Sequence, residues 1–505
     1  MKYHIEFPHT GTRNDTKQLA NIEAALKILD HSAIISSDSN ISGSYDLRLI
    51  LMFPDELTVK VMAPDLPEGE NHWENTDTEI LDPRYNRHDR EQRCKELVRL
   101  GIITVVGRFL HRNPPWGILS GVRPTKIFHY YRDQGFSPSE ITDKLLKIYG
   151  LAESKARLVT EIGSKQEKFF KTGRFASIYV GIPFCPSRCR YCSFSAVPLG
   201  THGHLVKSFI NSLLEEIEAT GALIREHGFA IDSIYIGGGT PTSIDNESFA
   251  KVLASLTRNF NGGSVLERTH PSEFTVEAGR PETITPEKLQ IMADFGVTRV
   301  SVNPQTMNPG TLNRIGRNHT IDQVYIAVDA VKKYPQFTLN MDLILGLPDE
   351  NGAIFRKSLM EVTDLEPHNI TVHTLAPKRA SEWRKEFNTL ELAEEDDLRQ
   401  TADETLSWLR TMNYQPYYLY RQRFILADLE NIGFTIPGFE NSYNIQMMEE
   451  RQTIFGLGGG AVTKWVIGPD YRVVRYQNPK CPATYCQRVA ESIVKKAQQT
   501  RLLLG

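Results

Sequence analysis

Tyr179–Phe194 reads Y-V-G-I-P-F-C-P-S-R-C-R-Y-C-S-F and holds three of the chain's six cysteines, Cys185, Cys189 and Cys192, at C-x3-C-x2-C spacing. Such spacing lets one loop bring three thiolates to a common point, and soft thiolates suit iron–sulfur clusters or zinc. Three thiolates leave one iron of a four-iron cubane without a protein ligand, so a small molecule can bind there. Zinc closed by a fourth ligand elsewhere is the competing reading, but the chain has no partner C-x2-C. An open-site cluster is therefore expected, with Tyr191 shielding one side of it from solvent.

Outward from this stretch, strands and helices alternate from about Ser177 to Pro377, as in a barrel built of β/α units. Expected strands are Ser177–Ile182, Ser233–Ile236, Glu273–Val276, Arg299–Asn303, Thr338–Leu345 and Asn369–His373. Leu205, Phe209, Leu213 and Ile217 recur every four residues and mark an amphipathic helix. Thr285-Pro286-Glu287 opens another helix and Gly296 stops it. In such barrels chemistry collects at the C-terminal ends of the strands. Gly237-Gly238-Gly239-Thr240-Pro241 follows the second strand, and glycines without a Cβ let backbone groups approach a ligand closely. Glu277 ends the third strand and can accept hydrogen bonds from hydroxyls or an ammonium group. Gln305 ends the fourth strand, and Arg317 follows with a planar fork suited to a carboxylate. Asp342 lies in an apolar strand, where a lone acid needs a partner. Any one of these could be structural; five together are hard to assign to packing.

The cysteine spacing, preceded by apolar Ile178–Pro183 and followed by Ser193-Phe194, resembles the radical S-adenosylmethionine (SAM) superfamily. Within it, Y-x-x-I-P-F-C-x3-C-x-Y-C-x-F resembles the oxygen-independent coproporphyrinogen III oxidase group, which includes heme-chaperone relatives. Pro115–Lys126, Val276–Pro281, Asn303–Asn308 and Leu419–Gln422 are similar to its HemZ-type branch. The resemblance implies an α/β fold, a partial (β/α)6 barrel, with a [4Fe-4S] cluster on Cys185, Cys189 and Cys192. It also implies one or two SAM molecules, held by Tyr179, Tyr191, Gly238, Gly239, Thr240, Glu277, Gln305, Arg317 and Asp342, with weaker matches at Ala376 and Val462. The implied activity is anaerobic oxidative decarboxylation of two coproporphyrinogen III propionates to vinyl groups, giving protoporphyrinogen IX in heme biosynthesis. One electron from a low-potential donor such as flavodoxin or ferredoxin would cleave SAM to a 5′-deoxyadenosyl radical that abstracts hydrogen from the propionate. The alternatives are heme trafficking without porphyrinogen turnover, as in the chaperone relatives, or radical chemistry on another substrate. Two positions depart from the oxidase motif: Gly181 stands where it has histidine, and Phe194 where it has a fourth cysteine.

Size and composition agree with a multidomain cytoplasmic protein. The 505 residues are 40% hydrophobic and 24% charged, with a formal net charge of -3. That balance gives no electrostatic case for nucleic acid or an anionic membrane. The opening M-K-Y-H-I-E-F-P-H-T lacks a signal-peptide core, and no apolar run is long enough to span a bilayer. Six cysteines, half of them clustered, argue against a secreted disulfide scaffold.

Three domains are expected: an α+β accessory domain at 1–170, the barrel at 171–380, and a mainly helical substrate-covering domain at 381–505. In the first, Tyr45–Leu51 and Leu57–Val61 alternate as half-buried strands, Glu68–Asp82 reads as a loop, and helix begins from Arg90. Ser137-Pro138-Ser139-Glu140 carries a capping box. Trp116, in Pro114–Lys126, reads as a packed turn or a binding loop with Arg123 and Lys126. In the last domain, Leu390–Met412 is a charged helical stretch. The tyrosines of Tyr414–Tyr420 could face a flat tetrapyrrole while Arg421 and Arg423 pair with its propionates, or they could form an aromatic core edge. Gly456–Ala461 fits the dinucleotide fingerprint G-x-G-x-x-A weakly, with no downstream acid on a second strand. Cys481 and Cys486 are expected to be packing residues.

Overall fold

The computed structural model describes residues 1–6, 13–29, 33–36, 46–52, 58–76, 87–260, 272–378 and 381–504. The chain divides into two compact units, Met1–Ser164 and Lys165–Gly505.

The first unit contains β1 (Lys2–Glu6), α1 (Arg13–Leu29), β2 (Ile34–Ser36), β3 (Leu47–Met52), β4 (Thr58–Met62), β5 (His72–Thr76), α2 (Arg87–Phe109), α3 (Thr125–Asp133), α4 (Pro138–Lys147) and α5 (Glu153–Gln166). The strands form one sheet in the order β2-β1-β3-β4-β5. Leu47, Leu49 and Leu51 are buried and alternate with half-buried neighbours, the period-2 pattern of a strand with one covered face. β5 corrects the expected loop at Glu68–Asp82. Its His72 and Glu74 are exposed while the Trp73 ring packs so close to Gly101 that a Cβ there would lie 2.6 Å from it. One large apolar side chain is enough to seat this edge strand. Residues 77–82, Tyr45 and Leu57 lie outside the described residues. The capping box on α4 is present: Ser137 Oγ accepts from the Glu140 amide at 3.3 Å, and Glu140 Oε2 accepts from the Ser137 amide at 2.7 Å. Trp116 is 1% exposed, so it anchors a packed turn. Gly117 sits there at φ +50, where a Cβ would collide with the Tyr149 carbonyl.

The second unit is built on one eleven-stranded sheet. Its centre is six parallel strands in chain order: β6 (Phe175–Ile182), then, past the short β7 (Phe184–Cys185) and β8 (Val197–Pro198), β9 (Ala230–Gly238), β10 (Glu273–Glu277), β11 (Arg299–Ser301), β12 (Thr338–Leu345) and β13 (Asn369–Thr374). The helices between them are α6 (Leu199–His202), α7 (Val206–Glu226), α8 (Asn246–Phe260), α9 (Pro286–Asp294), α10 (Pro309–Arg314), α11 (Ile321–Lys332) and α12 (Gly352–Asp364). This is the partial (β/α)6 barrel, open between its first and last strands. Phe209, Leu213 and Ile217 turn the buried face of α7 to the sheet, as their spacing predicts. Thr285 caps α9 with Pro286 in its first turn, and Gly296 at φ +76 follows its end.

Beyond residue 380 come α13 (Glu395–Thr411), β14 (Gln415–Tyr420), β15 (Asn431–Thr435), α14 (Ser442–Glu449), β16 (Thr453–Gly458), β17 (Val462–Ile467), β18 (Arg472–Gln477) and α15 (Pro482–Leu504). The sequence reading found helix here but not these five strands, which lengthen the barrel's sheet at both edges. β16 runs parallel to β6, with β17 and β18 antiparallel beyond it; β15 and β14 continue antiparallel from β13. Unpaired edges of an open barrel invite such additions. Gly456–Ala461 runs from β16 into its turn to β17, not a strand-to-helix turn, so the dinucleotide reading is excluded. Among the described residues no helix is long and apolar enough to cross a membrane.

Candidate active site

The cysteine loop is held from several sides. Phe184 and Cys185 pair with Val197 and Pro198, the Cys192 amide donates to the Cys189 carbonyl at 3.1 Å, and the Arg190 amide donates to the Ile315 carbonyl at 3.0 Å. The glycine loop after β9 is tied to the same segment: the Gly239 amide donates to the Ile182 carbonyl at 2.8 Å and the Thr240 amide to the Phe184 carbonyl at 2.7 Å. Glycine is required here. Gly238 has φ +105, and a Cβ on Gly239 would lie 2.5 Å from the Phe184 carbonyl oxygen. Thr240 Oγ1 then donates to Cys185 Sγ at 3.4 Å.

These loops face a cavity of about 430 Å³, within the range of small-ligand sites, at the C-terminal ends of the parallel strands. Cys185, Cys189, Tyr191, Cys192, Gly238, Gly239, Thr240, Glu277, Gln305, Arg317, Asp342 and Ala376 all line it. Tyr179 stacks behind the lining, 6.2 Å from Tyr235 and 6.0 Å from Tyr443. Val462 is not in the lining; it opens β17, which pairs with β16 and β18. Of the tyrosines in Tyr414–Tyr420, Tyr418 and Tyr420 reach the cavity, and Tyr418 is at the same time packed with Tyr417 and Ile445 in a core cluster. Arg421 is buried against Asp428 and the Leu429 carbonyl, and the exposed Arg423 is outside the lining, so neither is placed for propionates. Cys481 is exposed and Cys486 partly so, both as free thiols outside this cavity.

Individual groups are strongly conditioned. Burial pushes the Glu277 carboxyl up to about 7; the hydrogen bond from Tyr235 opposes the rise and the charge of Asp342 adds to it. Gln305 is 7% exposed at φ +71, its amide on the Asp342 carbonyl at 2.9 Å and its own carbonyl accepting from Ile344 at 2.9 Å. A non-glycine residue in that region stores backbone strain, a common mark of ligand sites. Arg317 is anchored by the carbonyls of Gly279, at 3.0 Å, and Asn303, and donates to Tyr191 Oη at 3.3 Å. Asp342 is mid-strand, and its partner is His373, whose Nε2 lies 3.7 Å away while Tyr420 Oη meets Nδ1 at 2.9 Å. Burial also pushes the Cys185 thiol up to about 11 against its Thr240 hydrogen bond, and raises Cys192.

The donor set fits a cluster with an organic cofactor beside it. Among the described residues no three His, Cys, Asp or Glu side chains converge as they would around a single ion. Cys185, Cys189 and Cys192 all line the one cavity, a set of soft donors of the kind that suits an iron–sulfur cluster. Asn303 Oδ1 and Arg317 Nε, both on cavity-lining residues, are buried without a hydrogen-bond partner, so they remain to be met by a polar ligand. Sequence reasoning missed Tyr235, Arg280, Asn303, His373 and Lys378, all of which line the cavity. Strand alternation holds the signal for two of them. Tyr235 is two residues before Gly237, and His373 pairs with Ile344, two residues after Asp342.

A family model for the radical SAM superfamily matches residues 179–361. The chain is 36% identical over 81% of its length, and 82% of the relative's, to the oxygen-independent coproporphyrinogen-III oxidase-like protein HemZ of Bacillus subtilis. It is 29% identical to the heme chaperone HemW of Lactococcus lactis, over 60% of this chain and 71% of that one. Among solved structures it is similar in fold to the coproporphyrinogen III oxidase HemN of Escherichia coli, with a TM-score of 0.50 and 20% identity. That match covers 66% of this chain and 73% of that one.

Proposed function

The chain belongs to the radical SAM superfamily, among the oxygen-independent coproporphyrinogen III oxidase-like proteins, and from that premise we propose that it decarboxylates coproporphyrinogen III propionates anaerobically. The observation that carries this reading is the convergence, on one cavity at the strand ends, of three thiols, the Gly238–Thr240 loop, Glu277, Gln305, Arg317 and Asp342. Cys185, Cys189 and Cys192 would hold a [4Fe-4S] cluster. Bound there with SAM, it supplies one-electron reductive cleavage of the sulfonium, giving a radical able to take hydrogen from an unactivated carbon.

The residues of the chain bind, orient and dry that chemistry. The backbone of Gly238 and Gly239 presents polar groups without side chains in the way. Glu277 and Asp342 accept from hydroxyl or ammonium donors, and Arg317, its terminal nitrogens held by Gly279, Asn303 and Tyr191, offers its remaining Nε–H to an acceptor on the ligand. Tyr191, packed beside Trp383 at a centroid distance of 6.4 Å, keeps water from one side of the thiols. Tyr420, stacked on Tyr418, lines the cavity as an aromatic wall for a tetrapyrrole. Residues 381–505 act as the cover of the barrel mouth, and a low-potential flavodoxin or ferredoxin in the cytoplasm delivers the electron. From each of two propionates the 5′-deoxyadenosyl radical would take a hydrogen atom, carbon dioxide would leave, and the remaining electron would pass to a one-electron acceptor, so that two vinyl groups form and the product is protoporphyrinogen IX.

A second reading, heme binding and transfer without turnover, is favoured by Phe194, which is 62% exposed and lines the cavity where the oxidase motif has cysteine. The test is anaerobic incubation with SAM, a low-potential reductant and coproporphyrinogen III, following 5′-deoxyadenosine and tetrapyrrole products together. Decarboxylated product supports the oxidase reading. Stoichiometric heme binding with no porphyrinogen turnover supports the second.

A further inference from the structure

We propose that Arg280 is a positioning residue that clamps the cysteine loop and raises the electron affinity of a cluster held there, acting through Cys189, with Glu282 as its counterweight. The inference rests on the cluster reading above. Arg280 follows β10 and is 2% exposed. Its Nη1 lies 3.5 Å from Cys189 Sγ and its Nη2 donates to Ser187 Oγ, so one guanidinium grips two residues of the C-P-S-R-C run. A cation this deeply buried costs free energy unless it meets negative charge. Glu282 Oε1 is 3.2 Å from Arg280 Nε, in ion-pair range without hydrogen-bond geometry. Its other oxygen faces His319 Nδ1 at 3.6 Å, on a side chain with no exposure. Burial, with Arg317 and Arg280 nearby, pushes His319 down to about 3, so it adds no charge to the row.

The row therefore reads thiol, cation, anion, neutral imidazole. Reduction adds an electron to a cluster whose charge is partly carried by its sulfurs. A hydrogen bond and a positive charge at one of those sulfurs favour the reduced state, and hydrogen bonds to sulfur are an established control of cluster potential. Glu282 weakens that pull from behind. The two residues thus make opposite predictions, which a role in folding alone would not produce.

The test is an EPR-monitored redox titration of full-length protein, reconstituted anaerobically, as wild type, R280Q, R280K and E282Q. Iron and sulfide content is measured first. R280Q should shift the midpoint to more negative potential, R280K should shift it less, and E282Q should shift it to more positive potential. If R280Q fails to assemble a cluster, the sign of the E282Q shift decides alone. Intact clusters with unmoved midpoints, or shifts of one sign in R280Q and E282Q, overturn the Arg280 assignment and leave the cluster reading standing. Wild-type protein without a cluster overturns both.

Discussion

Glu216, on α7, is fully buried, yet its carboxylate collects four partners. It accepts from the Gly458 amide at 2.7 Å, Asn478 Nδ2 at 2.9 Å, Tyr485 Oη at 2.6 Å and Lys496 Nζ at 2.5 Å. Through them it fixes the turn between β16 and β17. That turn is pressed on the strand leading into the cysteine loop: Gly459 donates to the Gly181 carbonyl at 3.0 Å, and a Cβ on Gly458 would lie 2.3 Å from the same oxygen. Glu216→Ala strands a buried ammonium, which costs about 3–5 kcal/mol. The Gly458 amide and Tyr485 hydroxyl each lose a partner at about 1–3 kcal/mol. Water entering the vacated space recovers part of this, so a loss of about 5 kcal/mol is expected, comparable to a domain's whole stability. Glu216→Gln keeps the shape and one acceptor and should lose about half as much. A Glu216→Met, Lys496→Met pair removes both charges and should recover the part of the loss due to the stranded ammonium, because well-packed apolar replacements of buried ion pairs are often near neutral, while the unpaired Gly458 amide and Tyr485 hydroxyl keep it below wild type. Urea denaturation gives the magnitudes, and hydrogen exchange at Gly458–Ala461 places them. Glu216→Ala within 1 kcal/mol of wild type, a threshold set by the about 3–5 kcal/mol expected for a broken pair, would refute the reasoning. So would a double variant no better than the single one.

Three other outcomes follow from the geometry. Gly181→His, which installs the oxidase histidine, places a Cβ 2.8 Å from the Gly459 carbonyl oxygen; it should destabilise by about 1–3 kcal/mol through overpacking, read as a lower denaturation midpoint. Gly238→Ala forces an L residue to φ +105 and should weaken SAM binding in equilibrium dialysis while leaving the secondary-structure content unchanged. Glu277 has its folded pKa raised by burial from 4.5 to about 7, so the folded state holds its proton longer than the unfolded chain does. Its stabilising contribution is complete below pH 4.5 and disappears as pH climbs through 7, and Glu277→Gln should flatten the fall in stability across that window. Identical slopes in urea titrations of the two proteins would contradict this.

The barrel was legible because its strands are short apolar runs between capped helices. Thr338–Leu345 is observed with the bounds its residues suggest, and Ser137 and Thr285 cap as their sequences require. The cysteine and glycine loops were legible because each depends on residue types that few other structures need at that spacing. Of the strands after residue 380, β15 and β16 join the barrel through β13 and β6, which lie far away in sequence, and that pairing leaves no local pattern. Tyr414–Tyr420 reads equally as substrate surface or core, and the structure makes it both: Tyr417 packs inward, Tyr420 lines the cavity, and Tyr418 belongs to the core cluster while touching the cavity. Arg421 looked like a propionate ligand because Asp428 is seven residues on, across a turn that sequence spacing does not reveal. Arg280 was missed for the opposite reason: a lone arginine in a loop reads as solvated until its 2% exposure is seen.

The most direct test is anaerobic purification of the wild type and of Cys189→Ala, with metal and sulfide analysis and EPR of the reduced protein before and after SAM is added. A reducible four-iron signal in the wild type, altered by SAM and absent from Cys189→Ala, is the predicted result. Zinc at those thiols, no metal at all, or an iron–sulfur signal that SAM leaves unchanged contradicts an iron left open by its protein ligands.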